Sequence, residues 1–563
     1  VTGLVTVLGS GAMSNDIIEL ENCDALLVIG SNTTETHPII GLRMKEAVKK
    51  GATLIVADPR RIPLVENARL WLRHRPGTDT ALINGLCHVI LRDNLADMKF
   101  IDKHTENFEA LAESVSRCTP GLTEEITGVP APDIEEAARL FAAGSMGGVF
   151  YTMGITQHSS GTNNVLALAN LVLLTGNFGK PSGGLNPLRG QNNVQGASDM
   201  GANPLFLPGY QRVDDEKSRN RFEELWQHPL PSVPGLTATE MTKAILQGKI
   251  SGLWIMGENP ALSDPNMDHV RQALDKLDFL VVQDIFLTET AEFADVVLPA
   301  ASFAEKNGTF TNTERRVQRI RKAVRPPGKA RDDLSIINMI TSHMQFDNPP
   351  VSSHGFSNYR QGVEGDSTVT PPTAEDIFAE IGRAWPAMAG INYERLERHG
   401  LQWPCPAVDH PGTPGLFTDG FPRGRARFTP VVWKGPRELP DAEYPFVLST
   451  GRVLYQYHTG TMSRRSPVLE GADQGPHVEI NPADAERLGI NDGDIVRAAS
   501  RRGQITLPAM VTDRVNTGIV FIPFHYKEAA ANLLTNDALD PDSKIPEAKV
   551  CAVQISREST NIV

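Results

Sequence analysis

The chain has 563 residues, 40% of them hydrophobic and 21% charged, and carries a net charge of −13. That length supports several domains and a large core, and the composition is that of an ordinary globular protein. The acidic balance argues against a nucleic-acid-binding surface, and no apolar run reaches the length of a membrane-spanning helix.

Five cysteines (Cys23, Cys87, Cys118, Cys405, Cys551) lie far apart and are odd in number, and no C-x-x-C occurs. Neither a disulfide framework nor an iron–sulfur cluster is expected within the chain. Val1-Thr2-Gly3-Leu4-Val5-Thr6-Val7 opens in mid-pattern, without Met or a signal peptide. The expectation is a chain truncated or processed at its N-terminus.

Residues 1–191 read as the first α/β domain. Ala25-Leu26-Leu27-Val28-Ile29 suits a buried parallel strand ending at Gly30. Residues 38–50 form a helix with Ile40, Met44, Ala47 and Val48 on one face, closed by Gly51. Thr53-Leu54-Ile55-Val56-Ala57 is a second buried strand, completing a βαβ unit. Helices are expected over 79–93, 132–142 and 162–175. Residues 192–345 repeat this grammar, with strands at 253–256, 279–282 and 296–299 in a second, incomplete α/β domain that sequence upstream would complete. Residues 346–440, rich in Pro, Gly and Ser, read as a connection with a helical piece at 374–384. From 441 to 563 short β runs (446–448, 495–498, 504–507, 518–522) separated by turns predict a small closed barrel.

Ligands of open α/β sheets sit beyond the carboxyl ends of strands. Gly30-Ser31-Asn32-Thr33-Thr34-Glu35-Thr36-His37 and Asp58-Pro59-Arg60 lie there. Gly30 permits close approach of backbone to a phosphate, and Asp58 can accept from ribose hydroxyls or guanine amines. Helix capping by Ser31, Asn32 or Thr36 is the alternative. Gly9-Ser10-Gly11 is a partial G-x-G-x-x-G in the wrong context, and a nicotinamide site there is rejected. Met153-Gly154-Ile155-Thr156-Gln157-His158 again follows a strand, and His158 alone reads as structural. Ser449 through Ser463 gathers hydroxyls, His458 and Arg452 around two glycines, a composition suited to a phosphate and a heterocycle.

The run Asn186-Pro187-Leu188-Arg189-Gly190-Gln191-Asn192-Asn193-Val194-Gln195-Gly196-Ala197-Ser198-Asp199 stands apart, with five side-chain amides around one cation. It is not expected to be a plain strand or helix. Its amides are costly to bury without partners, which makes it a wall of a polar pocket. The Arg189 guanidinium presents a planar fork that matches a carboxylate; a surface ion pair is the alternative.

Together these segments resemble the catalytic (alpha) subunit of molybdopterin-dependent formate dehydrogenases, in the molybdopterin oxidoreductase (DMSO reductase) family. The matching order includes Asp58-Pro59-Arg60, Gly77-Thr78-Asp79, Met256-Gly257-Glu258-Asn259-Pro260, Gly308-Thr309-Phe310-Thr311-Asn312 and the Gly451–Ser463 loop. The resemblance implies two Rossmann-like α/β domains and a C-terminal barrel of double-psi type. It implies two pterin guanine dinucleotides on one Mo or W atom. One would be contacted by Asn32, Glu35, Thr36, Asp58, Arg60, Gly77, Asp79, Met153, Gly154 and Gln157. The other would use Arg452, His458, Thr459, Thr461, Asn532 and Lys549, with Gln191 a further cofactor contact. Glu35 stands where the family leads one to expect Asp.

Arg189 would anchor formate, which is oxidised to CO2. The resemblance places the 4Fe-4S cysteines and the metal-ligating Cys or selenocysteine, followed by His, upstream of residue 1. No metal ligand is therefore assigned here, and the chain alone is expected to be inactive. A break at a selenocysteine codon read as a stop would explain the start. Electron-transfer subunits of iron–sulfur or diaphorase type are the implied partners, with no nucleic acid or membrane contact and a cytoplasmic location. Nitrate reductases share most motifs but lack Arg-Gly-Gln-Asn-Asn. The iron–sulfur scaffold subunit of NADH dehydrogenase is the non-catalytic alternative.

Overall fold

A computed structural model describes residues 1–344 and 372–558. The expected connection therefore falls partly outside the described residues. The chain divides into two compact units, Val1–Leu188 with Pro260–Gln272 and Gly415–Val563, and Arg189–Asn259 with Ala273–Pro414.

The first unit is built on five parallel strands in the order Leu70–Leu72, Thr53–Ala57, Ala25–Ile29, Gly147–Tyr151, Gly184–Pro187. Every residue of Ala25–Ile29 is buried. Successive strand side chains point to opposite faces. Leu26 and Val28 join a core with Ile40 and Met44 of the Pro38–Lys49 helix. Ala25, Leu27 and Ile29 join Leu82 and Leu168 of the Asp79–Arg92 and Gly161–Leu174 helices. A continuous apolar run is what such two-sided burial requires. Gly9 ends the Thr2–Leu8 helix at φ +83, so the Gly9-Ser10-Gly11 stretch follows a helix rather than a strand.

In the same unit a six-stranded barrel closes in the order Phe446–Gly451, Ile519–Pro523, Val478–Ile480, Gln504–Val511, Ile495–Ala499, Cys551–Arg557. Leu448, Val478, Val496, Leu507, Val520 and Val553 fill it. Two strands, Val478–Ile480 and Cys551–Arg557, go beyond the expected runs. The first is only three residues long with a buried Glu479 at its centre, and that polar residue hides the strand pattern.

The barrel is clasped to the first sheet. Arg60 Nε and Nη2 donate to the two carboxylate oxygens of Glu479 at 2.6 and 2.5 Å. Thr162 Oγ1 donates to Asp540 at 2.7 Å and Ser159 Oγ to Glu547 at 2.9 Å.

The second unit holds a parallel sheet of three strands, Gly252–Met256, Phe279–Asp284 and Val296–Pro299, with Phe279–Asp284 central. Trp254, Met256, Phe279 and Val296 are exposed. Gly308–Thr311, Arg316–Ile320 and Leu401–Gln402 form an antiparallel sheet. The Ala374–Ala384 helix begins in a capping box of Thr373 and Asp376.

Candidate functional site

Strand order in the five-stranded sheet reverses between Ala25–Ile29 and Gly147–Tyr151. That reversal is where open α/β sheets receive ligands. The two strands run out into Gly30 and Thr152-Met153-Gly154. Gly30 sits at φ +55, and a Cβ on Gly154 would stand 2.4 Å from the Gly30 carbonyl oxygen, so both positions demand glycine. Thr152 Oγ1 donates to the same carbonyl at 2.7 Å.

Asn32 occupies the N-cap position of the Thr33–Thr36 turn but makes no capping bond. Its side-chain nitrogen and oxygen are both buried without a partner among the described residues. Capping therefore does not account for Asn32. Thr36 is satisfied locally, donating to Asn32 O at 2.9 Å. Glu35 shares the turn, Met153 is exposed, and Gln157 O accepts from Ala548 N of the barrel side at 3.2 Å. Asp58 Oδ1 accepts from Arg60 N at 2.9 Å, and burial pushes its carboxyl above the usual range.

Three expected contacts are held by the protein itself. Arg60 places its Nε and Nη2 on Glu479 and lies 4.1 Å over the Phe521 ring. Gly77 has φ +78, and a Cβ there would meet Pro436 at 2.4 Å. Asp79 is buried with Oδ1 3.0 Å from His74 Nε2 and Oδ2 3.7 Å from His158 Nε2. Burial opposes both charges, but the mutual attraction outweighs it: His74 is raised and Asp79 lowered. His158 Nε2 also lies 2.8 Å from Gly154 O, a contact to the rim itself.

In the same unit, the 451–463 loop follows the Phe446–Gly451 strand. Burial pulls the Arg452 guanidinium below its ordinary value, with Tyr457 opposing. Lys549 Nζ donates to Thr450 O at 2.6 Å, and burial, then Arg452 beside it, pushes Lys549 down to about 8. Neither cation makes an ion pair among the described residues. His458 stands at φ +51 and is pushed down to about 4, by burial first and then by Arg452. Thr459 and Thr461 hydroxyls are 2.9 Å apart. Asn532 Nδ2 donates to the carbonyls of Leu262 and Ser263 at 3.0 and 2.8 Å, so half of that amide is structural.

Sequence reasoning missed His525, fully buried. It accepts from Val453 N at Nε2 (3.1 Å) and donates to His458 O from Nδ1, which fixes a neutral tautomer and braces the loop. Its position just beyond the Ile519–Pro523 strand is the signal that could have found it.

The Arg189 run belongs to the second unit from Arg189 onward. It is more regular than its composition predicts. Asn186 and Pro187 end the Gly184–Pro187 strand, and Val194–Asp199 is a short helix. Arg189 N donates to Thr313 Oγ1 at 3.0 Å, and Asn193 Oδ1 accepts from Thr311 N at 2.8 Å, tying the loop to the Gly308–Thr311 strand and the turn after it. Gln191 lies in the turn, half-buried. Arg189 Nε donates to Gln195 Oε1 at 2.6 Å. The sequence marks Gln195 only as one of five amides, and nothing in the local pattern singles out Asp199, four residues on.

A family model described as Molybdopterin oxidoreductase matches residues 6–343, and one described as Molydopterin dinucleotide binding domain matches residues 446–552. The chain belongs to the molybdopterin oxidoreductase family. The F420-dependent formate dehydrogenase subunit alpha of Methanocaldococcus jannaschii is 49% identical over 560 residues, spanning 99% of this chain and 80% of the relative. The assimilatory nitrate reductase catalytic subunit of Bacillus subtilis is 37% identical over 557 residues, spanning 96% and 76%. Acetylene hydratase from Pelobacter acetylenicus shares the fold, with a TM-score of 0.74 at 20% identity over 99% of this chain and 80% of that one.

This molybdopterin oxidoreductase accordingly carries a pterin dinucleotide-binding barrel. The residues present fit such a cofactor. Desolvated Arg452 and Lys549 suit an anionic linkage, the orphaned Asn32 amide suits a heterocycle, and the Gly30–Gly154 rim admits close approach.

Proposed function

We propose that this chain is the catalytic subunit of a formate dehydrogenase, converting formate to CO2 with two pterin guanine dinucleotides on Mo or W. Arg189 carries the reading. Its backbone is tied to Thr313 and its Nε to Gln195, so the charged fork is held in place before substrate arrives. A carboxylate accepts two parallel hydrogen bonds from such a fork. The fork then fixes where the C–H bond points, which is an orientation role.

The metal–pterin group supplies the two-electron redox chemistry when bound. Asn32, Asp58, Gly154 and Gln157 would hold one dinucleotide. Arg452, His458, Thr459, Thr461 and Lys549 would hold the other. The two cations would offset phosphate charge, and neutral His458 would exchange hydrogen bonds without adding charge. Arg60, Asp79 and Asn532 would act mainly as framework, because their polar atoms are engaged within the protein. The relative named F420-dependent supports a partner subunit that passes electrons to F420.

A nitrate reductase is the second reading, supported by the Bacillus subtilis relative. The test is dye reduction by formate, with nitrate-dependent dye oxidation in parallel, on the cofactor-loaded full-length polypeptide. Formate activity that falls at least a hundredfold in Arg189→Lys is the expected result. Nitrate turnover without formate turnover would overturn the reading, as would full formate activity in Arg189→Lys.

A further inference from the structure

Two turns meet at the switch point of the five-stranded sheet, one after Ala25–Ile29 and one after Gly147–Tyr151. Their glycines are in contact, since a Cβ on Gly154 would stand 2.4 Å from the Gly30 carbonyl oxygen. Asn32, on the first turn, has a side-chain amide without a partner among the described residues. The second turn carries a matching case. His158 is 2% exposed, and its Nδ1 is buried without a partner among the described residues.

The ring's other nitrogen settles which way it faces. Nε2 lies 2.8 Å from Gly154 O, and a carbonyl oxygen only accepts, so Nε2 carries the proton. Turning the ring over would set carbon against that carbonyl. Nδ1 then holds a lone pair in the neutral ring. A second proton there would add a charge and a donor with no acceptor, the costlier form in a desolvated position. Asp79 does not supply that acceptor. Its Oδ2 stands 3.7 Å from His158 Nε2, and its Oδ1 is 3.0 Å from His74 Nε2. Burial opposes both charges of the Asp79–His74 pair, but their attraction outweighs it, so the carboxylate is committed to His74.

The backbone on both sides of the ring is fixed as well. Gln157 O accepts from Ala548 N at 3.2 Å, and His158 O accepts from Gly161 N at 2.9 Å. Ser159 N donates to Glu547 Oε1 at 3.2 Å. With its backbone and Nε2 both held, the ring cannot swing to find another partner for Nδ1. A structural histidine has both nitrogens satisfied by the fold. Here one nitrogen is satisfied and the other is an acceptor locked in place without a donor.

We propose that His158 is a cofactor-binding residue whose Nδ1 accepts a hydrogen bond from an N–H or O–H group of the pterin dinucleotide, while Nε2 braces the Gly154 turn. This rests on the reading that a pterin dinucleotide occupies the Gly30–Gly154 rim. Ring N–H, exocyclic amine and ribose hydroxyl are all donors of the required kind. A carbonyl or phosphate oxygen set against Nδ1 is penalised, so the residue sorts ligand edges by their donor pattern. A buried water on Nδ1 is the rival occupant.

Two substitutions separate the roles of the two nitrogens, because the polar end of Asn reaches the place of Nδ1 and that of Gln the place of Nε2. In the cofactor-loaded full-length polypeptide the readout is the rate of pterin release on warming, followed by fluorescence of the oxidised cofactor. Thermal melting of the cofactor-free polypeptide reads the framework. His158→Gln keeps the brace and loses the acceptor, so release should quicken about tenfold, the worth of one hydrogen bond. Its cofactor-free melting temperature should be unchanged. His158→Asn keeps an acceptor and loses the brace, so the cofactor-free chain should melt lower while release quickens less than in His158→Gln. Asn32→Ala tests the rim itself and should also speed release. Unchanged release in His158→Gln, with release fast in Asn32→Ala, overturns the proposal and leaves Nδ1 to water. Faster release in His158→Asn than in His158→Gln overturns it too, because His158 is then framework. No response to either Asn32→Ala or His158→Gln would sink the rim reading along with it.

Discussion

The pterin-side cradle of the first unit and the Arg189 network of the second are both polar and both desolvated, yet they are built oppositely. Among the described residues of the cradle, the Asn32 side-chain amide has no partner, and Arg452 and Lys549 make no ion pair. In the network Arg189 Nε, the Gln195 amide and the Asp199 carboxylate are joined bond to bond. Unpaired buried polar groups cost stability and are tolerated where a ligand completes them. Fully paired ones hold a geometry in advance. On the proposed reading, the first pattern is where a ligand would bind and the second where a reacting group would be aimed.

The largest test of that contrast removes the cradle's cations. Arg452→Leu with Lys549→Met deletes two charge-assisted contacts worth about 3 kcal/mol together, roughly a hundredfold in affinity. Guanine nucleotide released from the purified protein should fall below a tenth of the normal amount. The same double variant, made without cofactor, should melt at a higher temperature, because two uncompensated charges have left a desolvated site. A lower melting temperature would mean that the cations serve the fold.

A second test uses opposite responses to acid. Burial pushes His458 and His525 down to about 4. The unfolded chain, with histidines near 6.5, takes up those protons first, so their contribution is full above about pH 6.5 and lost as pH falls toward 4. Asp199 is the reverse case, raised to about 6. Its contribution is full below the unfolded value of about 3.9 and lost as pH rises through 6. Each amounts to about 3 kcal/mol at the limit. Urea unfolding of the cofactor-free chain between pH 4.5 and 6.5 separates them. His525→Gln should flatten the rise of stability with pH, and Asp199→Asn should steepen it. Flattening by both would remove the distinction between the regions.

Much of this was legible in the sequence where a simple period governs. Ala25–Ile29, Thr53–Ala57 and the 38–49 helix follow from apolar runs and helical spacing, since burial on two faces or one imposes those patterns. Arg189 and the strand-end glycines were equally visible, because few residue types can do their work. The strand around Glu479 was not, because its buried carboxylate makes sense only against Arg60, 419 positions away. Asp199 and His525 escaped for the same reason. Each owes its role to partners such as Trp403 and Val453 that no local pattern announces.

The finest test lies inside the network. Tyr210 OH donates to Asp199 Oδ1 and accepts from Gln195 Nε2, while its ring packs edge-on against Phe206 and Trp385 at 5.9 and 6.4 Å between centroids. Tyr210→Phe keeps the ring and removes one donor of three from Asp199, a loss of about 1 kcal/mol. Gln195 and Trp403 still hold the carboxylate, so urea unfolding of the cofactor-free chain should register that loss and no more. The pH dependence should shift as well. The Tyr210 hydrogen bond lowers the Asp199 value, so its removal should carry the fall of stability with rising pH to a point above 6. A less stable chain with an unshifted pH profile would show that Tyr210 supports the loop's shape rather than the charge on Asp199.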